Sequence, residues 1–203
     1  KYSDCAAPGI SNFANGACKD WGNPISEMYL EALRFISGAQ SGTQLTPTST
    51  FNADDSGLFS ELTQIAAWED PYRDPSLACA DCNIVLISTG LNSFDTDEIS
   101  TLVGDIKDDT GALTSTVFNG YLDATITDNE GISGSYFVGQ STAENADNRC
   151  TAKAVANLSA VEGSCPEVPS QKGGYDIAGL AYHASTHDLR DDLVTPGTQT
   201  VNT

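Results

Sequence analysis

The stretch "WGNPISEMYLEALRFISG", residues 21–38, predicts an amphipathic helix with a recognisable residue at each end. Apolar residues recur every three or four positions, which is the spacing of one helical face. This apolar set is Ile25, Met28, Ala32, Leu33 and Ile36. Asn23 is a favourable N-cap residue, and Pro24 suits the first helical position. Gly38 often follows a last helical turn, so we expect a helix from Pro24 to Ser37.

The stretch "CNIVLISTG", residues 82–90, predicts the clearest strand. Asn83–Ser88 is a continuous apolar run with β-branched residues, which is typical of a central strand buried on both faces of a parallel sheet. Further helices are expected in "GLFSELTQIAAWEDPY" (57–72), in residues 95–107, in "CTAKAVANLSAVEG" (150–163) and in "GGYDIAGLAYHAST" (173–186). Short strands are expected in "YLDATITD" and "SYFVG", and "QTVNT" (199–203) reads as the beginning of a strand. Helices alternating with a buried strand indicate an α/β sandwich.

The bulk composition restricts the class of protein. The 203 residues carry a formal net charge of −19, so binding to the phosphate backbone of nucleic acid is not expected. No apolar run approaches the roughly 20 residues that span a bilayer. With 39% hydrophobic residues, the chain has a globular composition that fits one domain over residues 1–203.

The six cysteines fall into local pairs, and few lysines accompany them, which is typical of an exported protein with disulfides. We expect three bridges, although six cysteines allow 15 connectivities. The expected pairs are Cys5–Cys18, Cys79–Cys82 and Cys150–Cys165. The first would close an N-terminal loop over residues 1–20. A redox motif and a zinc site are the alternatives for Cys79-Ala-Asp-Cys82, but the motif precedes a strand rather than a helix, and a second such pair is lacking.

Three polar clusters could carry chemistry, and each also has a structural interpretation. Asn52–Gly57 partly matches a calcium loop, but its twelfth position is Thr63 rather than a bidentate Glu, so a polar turn is the alternative. Asp95–Glu98 fits the N-terminus of the following helix, where acidic residues are favourable. His183 and His187 have the spacing of two metal ligands on one helical face, while a capping cluster with Asp188 and Arg190 near the helix end is the alternative.

Several blocks together resemble the PilY/PilC family of type IV pilus-tip adhesins and pilus-biogenesis factors. These blocks are "GNPISEMYLEALRFISG", "DPY" before "CNIVLISTG", "GSCPEVPS", "YDIAGLAYHASTHDLR" and "QTVNT". They occur in the family's order over nearly the whole chain, and the resemblance is weakest between residues 91 and 145. The resemblance implies the N-terminal von Willebrand factor A-like region, a Rossmann-like α/β sandwich with insertions, without the C-terminal β-propeller.

The resemblance also implies where an adhesion site would lie. In a von Willebrand factor A domain, a Thr-Pro turn, an Asp-x-Ser-x-Ser motif and an Asp after the buried strand hold a metal ion. Asn23-Pro24 occupies the Thr-Pro place, and Thr89 replaces the ligand Asp in "ISTG". The sequence contains no Asp-x-Ser-x-Ser motif. Because Asn23 and Thr89 offer only neutral oxygens, we expect a degenerate site and no metal cofactor, with calcium or magnesium as the alternative.

We therefore expect part of one von Willebrand factor A-like domain, incomplete in this chain, with an irregular insertion at about 108–148. The implied function is non-enzymatic extracellular adhesion at the cell surface, on pili, with an outer-membrane association as an open alternative. Pilin or minor pilin subunits at a pilus tip and a host or abiotic surface are the expected partners. Two functions of other classes stay open: a secreted hydrolase with a carboxylate site that no motif marks, and a structural subunit of an extracellular filament.

Overall fold

The computed structural model describes residues 22–42, 67–78, 80–88, 90–96, 98–193 and 197–203. Within these ranges the chain forms a mixed α/β structure in which each sheet is small. None of the helices described is both long enough and apolar enough to cross a membrane.

The helices differ in length and in type. Helix α1 is Ile25–Ile36, α2 is Ile99–Leu102, α3 is Ser115–Gly120 and α4 is Asp176–Thr186. Helix α2 continues into a 3₁₀ turn, Val103–Asp105, and α3 continues into a π-helix, Tyr121–Thr127. Further 3₁₀ turns are Pro75–Leu77, Ala143–Asn145 and Leu158–Ala160. The helices predicted at Pro24–Ser37 and within residues 173–186 are thus confirmed as α1 and α4.

The strands pair two by two. Strand β1 (Cys82–Asn83) pairs in parallel with β6 (Val201–Asn202). The other pairs are antiparallel: β2 (Lys107–Asp108) with β3 (Gly111–Ala112), and β4 (Gly134–Gln140) with β5 (Ala146–Val155). The strand predicted in "QTVNT" is therefore present as β6, and the one predicted in "SYFVG" lies in β4.

One apolar core joins the helices to the parallel strands. Its buried members are Tyr29, Leu30, Leu33, Ile99, Val103, Ile106, Leu113, Phe118, Leu122, Leu158, Leu180, Ala184, Leu189 and Val201. The close packing of α4 depends on Gly179, because a Cβ there would lie 2.8 Å from the Phe118 ring. Burial of these side chains supplies the main stabilising contribution to the fold.

A buried arginine fixes the segment before β1. Arg190 donates two 2.8 Å hydrogen bonds to the Asp70 carboxylate and one to the carbonyl of Ile36 at the end of α1. Its guanidinium also lies 4.9 Å from the centre of the Tyr72 ring. The charge is neutralised by Asp70 and Asp192, which allows an arginine to be buried here.

The β4–β5 hairpin projects beyond the main core. Val138 and Val155 form a separate small cluster with Val161, whereas the Phe137 side chain is 65% exposed. The Cys150–Cys165 disulfide links β5 to the following loop, as the sequence predicted. Lys153 is buried because its ammonium group bonds to the Asp147 carboxylate at 2.6 Å and to two backbone carbonyls.

Two sequence predictions are wrong in this region. No α-helix forms in residues 150–163: residues 150–155 lie in strand β5, which pairs with β4, and Leu158–Ala160 is a 3₁₀ turn. The predicted strand "YLDATITD" is the π-helix, whose Leu122 faces the core. Residues 108–148, expected to be an irregular insertion, contain α3, the π-helix and β4.

The prediction that Asn83–Ser88 is a strand buried on both faces is also wrong. Among the described residues, strand pairing in this stretch is limited to Cys82 and Asn83, and Ile84 adds one hydrogen bond to the carbonyl of Asn202. Val85 and Ile87 are 80% and 88% exposed. The apolar run therefore lies at the surface, because the parallel pairing ends before these side chains reach a neighbour.

The exposure of Ile87 gives a direct test of this arrangement. Ile87→Thr should change the free energy of unfolding by no more than about 0.5 kcal/mol, because an exposed side chain loses little burial. Ile106→Thr is the matched control and should cost about 2–4 kcal/mol, since Ile106 is fully buried. Urea unfolding measures both, and equal large losses would show that the 85–87 run is buried after all.

Candidate functional site

The buried carboxylate of Asp95 caps the N-terminus of α1. Its Oδ1 accepts hydrogen bonds from the backbone N–H groups of Ser26 at 2.7 Å and Glu27 at 3.1 Å. These are two of the N–H groups that an α-helix leaves without an internal partner. Asn23, predicted as the N-cap, does not provide the cap. Asp95, predicted to serve the following helix, caps the preceding one instead.

The hydroxyl of Ser26 connects this cap to α4. Ser26 Oγ donates to Asp95 Oδ2 at 2.7 Å and accepts from the backbone N–H of Ile177 at 3.1 Å. The first turns of α1 and α4 therefore meet at one serine. Because the positive ends of both helix dipoles converge here, the site favours the negative charge of Asp95.

Asn92 joins the same carboxylate to the loop before α4. Its amide nitrogen donates to Asp95 Oδ2 at 3.2 Å and to the carbonyl of Gly174, and its amide oxygen accepts from Ser164 Oγ at 2.8 Å. Gly173 is required here, because a Cβ would lie 2.1 Å from the carbonyl oxygen of Asn92. We refer to Ser26, Asn92, Asp95 and Asp176 as the Asp95 cluster.

Asn23 binds the loop that follows β1. Its backbone pairs with Ser93, and its side-chain amide donates to Ser88 Oγ at 3.0 Å and to the carbonyls of Gly90 and Leu91. Thr89, the second adhesion-site position implied by the resemblance, lies outside the described residues. Asn23 therefore contacts Ser88 and Gly90, the residues on either side of Thr89 in the sequence.

Burial raises the pKa values of both carboxyl groups in the Asp95 cluster. Burial raises the pKa of Asp95, and the hydrogen bonds that it accepts oppose this only in part. The pKa of Asp176 is raised to about 7, first by burial and then by the charges of Asp95 and Glu162. The cluster therefore holds more negative charge near neutral pH than its surroundings stabilise.

The arrangement is suited to holding helices rather than to holding an ion. Both oxygens of Asp95 accept two hydrogen bonds each, from Ser26, Glu27 and Asn92. A divalent cation would need some of those lone pairs.

The other predicted sites lie elsewhere. The calcium-like loop at Asn52–Gly57, together with Cys5, Cys18 and Cys79, lies outside the described residues. Cys82 is a free thiol beside the Tyr72 hydroxyl, which contradicts the predicted bridge from Cys82 to Cys79.

Sequence reasoning missed two residues. The role of Asp95 could have been inferred from its place in a polar loop after an apolar strand, where α/β folds collect functional groups. Asp108 gave no local signal, yet it lies with His183 and His187. The predicted capping partners of His187 are engaged elsewhere: Asp188 accepts from the backbone of Gln199, and Arg190 binds Asp70.

Comparisons with known proteins agree on one family. Residues 1–184 match the family described as "PilY1 homolog, second domain". The chain is also 29% identical, over 185 residues, to the type IV pilus biogenesis factor PilY1 homolog of Xylella fastidiosa (strain Temecula1 / ATCC 700964). That match covers 86% of this chain and 12% of the relative. No solved structure matches the chain.

Removal of the Asp95 carboxylate should destabilise the whole domain. Asp95→Ala leaves buried N–H groups of α1 without an acceptor, so we expect a loss of about 2–4 kcal/mol in urea unfolding. Asp123→Ala is the matched control, because Asp123 accepts the same pair of bonds from Ser159 at the surface. The control should cost less than about 1 kcal/mol, and similar costs for both variants would contradict the assignment.

The raised pKa of Asp176 predicts a pH dependence. Because the folded state binds this proton more tightly than the unfolded state, the stability that it contributes is full below about pH 4 and is lost as pH rises through about 7. Asp176→Asn should therefore gain stability over the wild type between pH 5 and pH 8. Urea unfolding at both pH values tests this, with the exposed Asp81→Asn as control. A difference between variant and wild type that stays constant with pH would refute it.

Proposed function

Because the chain belongs to the family of PilY1 homolog second domains, we propose that it is a non-enzymatic, extracytoplasmic module of a type IV pilus biogenesis factor. The observation that carries this proposal is the Asp95 cluster. Its carboxylate is filled by hydrogen bonds from the protein itself, so the centre of the domain serves to hold its loops in place. The Cys150–Cys165 disulfide fits an oxidising compartment outside the cytoplasm.

The fold that we propose is a von Willebrand factor A-like sandwich. Three features support it: the parallel pairing of β1 with β6, the loop after β1 that carries Asp95, and the meeting of the first turns of α1 and α4 at that loop. In open α/β sheets, functional groups collect at the carboxyl ends of the strands. We propose that residues 1–203 belong to this one domain, with a disulfide-closed loop at 1–20 and an insertion at about 108–148.

In this proposal the adhesion site is degenerate and works without calcium or magnesium. Asn23 and Thr89 occupy the family's ligand positions with neutral side chains, and Asn23 donates its amide hydrogens to the loop at 88–91. A hard cation prefers several oxygen ligands with at least one carboxylate among them, and neither Asn23 nor Thr89 supplies a carboxylate. The module then acts through protein surfaces, and pilin or minor pilin subunits, or a host or abiotic surface, are the partners that we propose.

The projecting hairpin offers a surface for such contacts. Tyr136 and Phe137 are exposed on β4, and aromatic residues are enriched in protein interfaces. Lys153 and the disulfide hold the hairpin in place beneath them. An ordered surface loses less conformational entropy on binding than a mobile one.

The hydrolase alternative finds no specific support. A shallow cavity of about 320 Å³ lies beside the C-terminal end of α1 and Gly104–Lys107. The carboxylate in its wall, Asp105, is bound by Arg34 at 2.6 Å, so it is not positioned as a general acid or base. The two carboxylates whose pKa values are raised, Asp95 and Asp176, belong to the Asp95 cluster, which does not line this cavity.

The proposal is tested in the full gene product that contains this chain, expressed in a pilus-forming bacterium that lacks its own copy. Deletion of residues 22–203 should abolish surface pili, and Asp95→Ala should reduce their number because the destabilised domain is degraded. Asp123→Ala is the control and should leave pili at the wild-type number. Electron microscopy counts the pili, and an immunoblot reports the amount of protein. Normal piliation by the deletion variant would refute the proposed role.

A further inference from the structure

A second cluster lies two to three turns along α4 from the Asp95 cluster. It consists of Asp108 on β2, His183 on α4 and His187 at the C-cap of α4, and we refer to these residues as the histidine cluster. One nitrogen or oxygen atom from each of the three lies within 4.8 Å of the others. The chain contains only these two histidines, so both of its imidazoles are gathered at one place.

The strongest sign of a missing ligand is His183. Its side chain is fully buried, and among the residues that the structure describes neither ring nitrogen has a hydrogen-bond partner. A buried polar atom without a partner costs about 1–3 kcal/mol, and native proteins seldom leave one unless an ion or a water fills the place. The imidazole ring of His183 lies beside the carboxylate of Asp108, which is a second potential metal ligand.

Asp108 is positioned to share an ion with His183. Its Oδ2 lies 3.6 Å from His183 Nε2, which is too long for a hydrogen bond. Two ligand atoms that are each about 2.0–2.1 Å from a tetrahedral zinc ion are about 3.3 Å apart, close to this distance. The other oxygen, Oδ1, accepts from the backbone and hydroxyl of Thr110 at 2.7 and 2.6 Å, and these bonds orient the carboxylate.

His187 is oriented in the same way. Its Nδ1 lies 3.3 Å from the carbonyl of His183 and 2.9 Å from Thr186 Oγ1, so this nitrogen can carry the proton and donate. The lone pair is then on Nε2, which lies 3.2 Å from the Tyr121 hydroxyl. The two imidazole rings are nearly parallel, with centres 4.5 Å apart, so they lie side by side at the C-terminal end of α4.

We propose that Asp108, His183 and His187 bind one Zn²⁺ ion, with the Tyr121 oxygen or a water in the fourth position. Two imidazoles and one carboxylate suit zinc, whereas calcium and magnesium prefer oxygen ligands alone. The ion neutralises the buried carboxylate and gives His183 a partner. Because Asp108 and His183 are sealed from water, the ion acts as a clip between α4 and the β2–β3 hairpin rather than as a catalyst.

The test uses the chain with its affinity tag removed and any metal stripped with a chelator. Co²⁺, which replaces Zn²⁺ and is coloured, should give the intense visible bands of a tetrahedral site at one equivalent. No thiolate charge-transfer band should accompany them, because the proposed ligands contain no sulfur. Zn²⁺ should abolish the bands, and it should raise the thermal midpoint of unfolding.

Two variants and a matched control decide the assignment. His187→Gln and Asp108→Asn should weaken Zn²⁺ binding at least tenfold in calorimetry and remove the thermal shift, provided that circular dichroism shows a folded chain. Asp109→Asn makes the same charge change at an exposed neighbour and should bind like the wild type. The proposal is overturned by wild-type cobalt spectra that are octahedral or show thiolate bands. It is equally overturned if His187→Gln binds Zn²⁺ as tightly as the wild type.

Discussion

The described part of the molecule depends on one carboxylate that serves two helices. Asp95 accepts from the first turn of α1 directly and reaches the first turn of α4 through the hydroxyl of Ser26. These two helices supply much of the apolar core, so their relative position determines how that core packs. A short polar loop after a two-residue strand can set this position because several of its hydrogen bonds end on buried or part-buried groups at the start of α1.

The same loop is held in place by hydrogen bonds that meet at one carboxylate. Where an ion would draw several loops together by coordination, here amide and hydroxyl donors do so around a single acidic group. Asn92 and Asn23 extend the network to the segments before α4 and after β1. Two helix N-termini supply positive potential to this network and offset part of its negative charge. Half-buried Asp176 adds a second negative charge, and its pKa is raised by desolvation and by the charges of Asp95 and Glu162.

Sequence reasoning located α1, α4 and β6, because their apolar spacing and end residues are local signals. It failed for residues 150–163, where alternating small residues fit a helix as well as a strand until the partner strand β4 is known. The run Val85–Ile87 was read as buried because hydrophobicity indicates a preference, whereas burial depends on neighbours. Asp95 was assigned to the nearest helix, and its partner lies about 70 residues earlier. The link between Asp108 and the two histidines is likewise a product of tertiary packing.

The β4–β5 hairpin has its own small apolar cluster, separate from the main core. A segment with few shared buried contacts can open while the rest of the molecule stays folded, so it forms its own cooperative unit. The disulfide to Cys165 limits how far the hairpin can separate when it opens. Amide hydrogens in its outer half should therefore exchange with solvent through local opening, at a rate largely independent of the stability of the helical core.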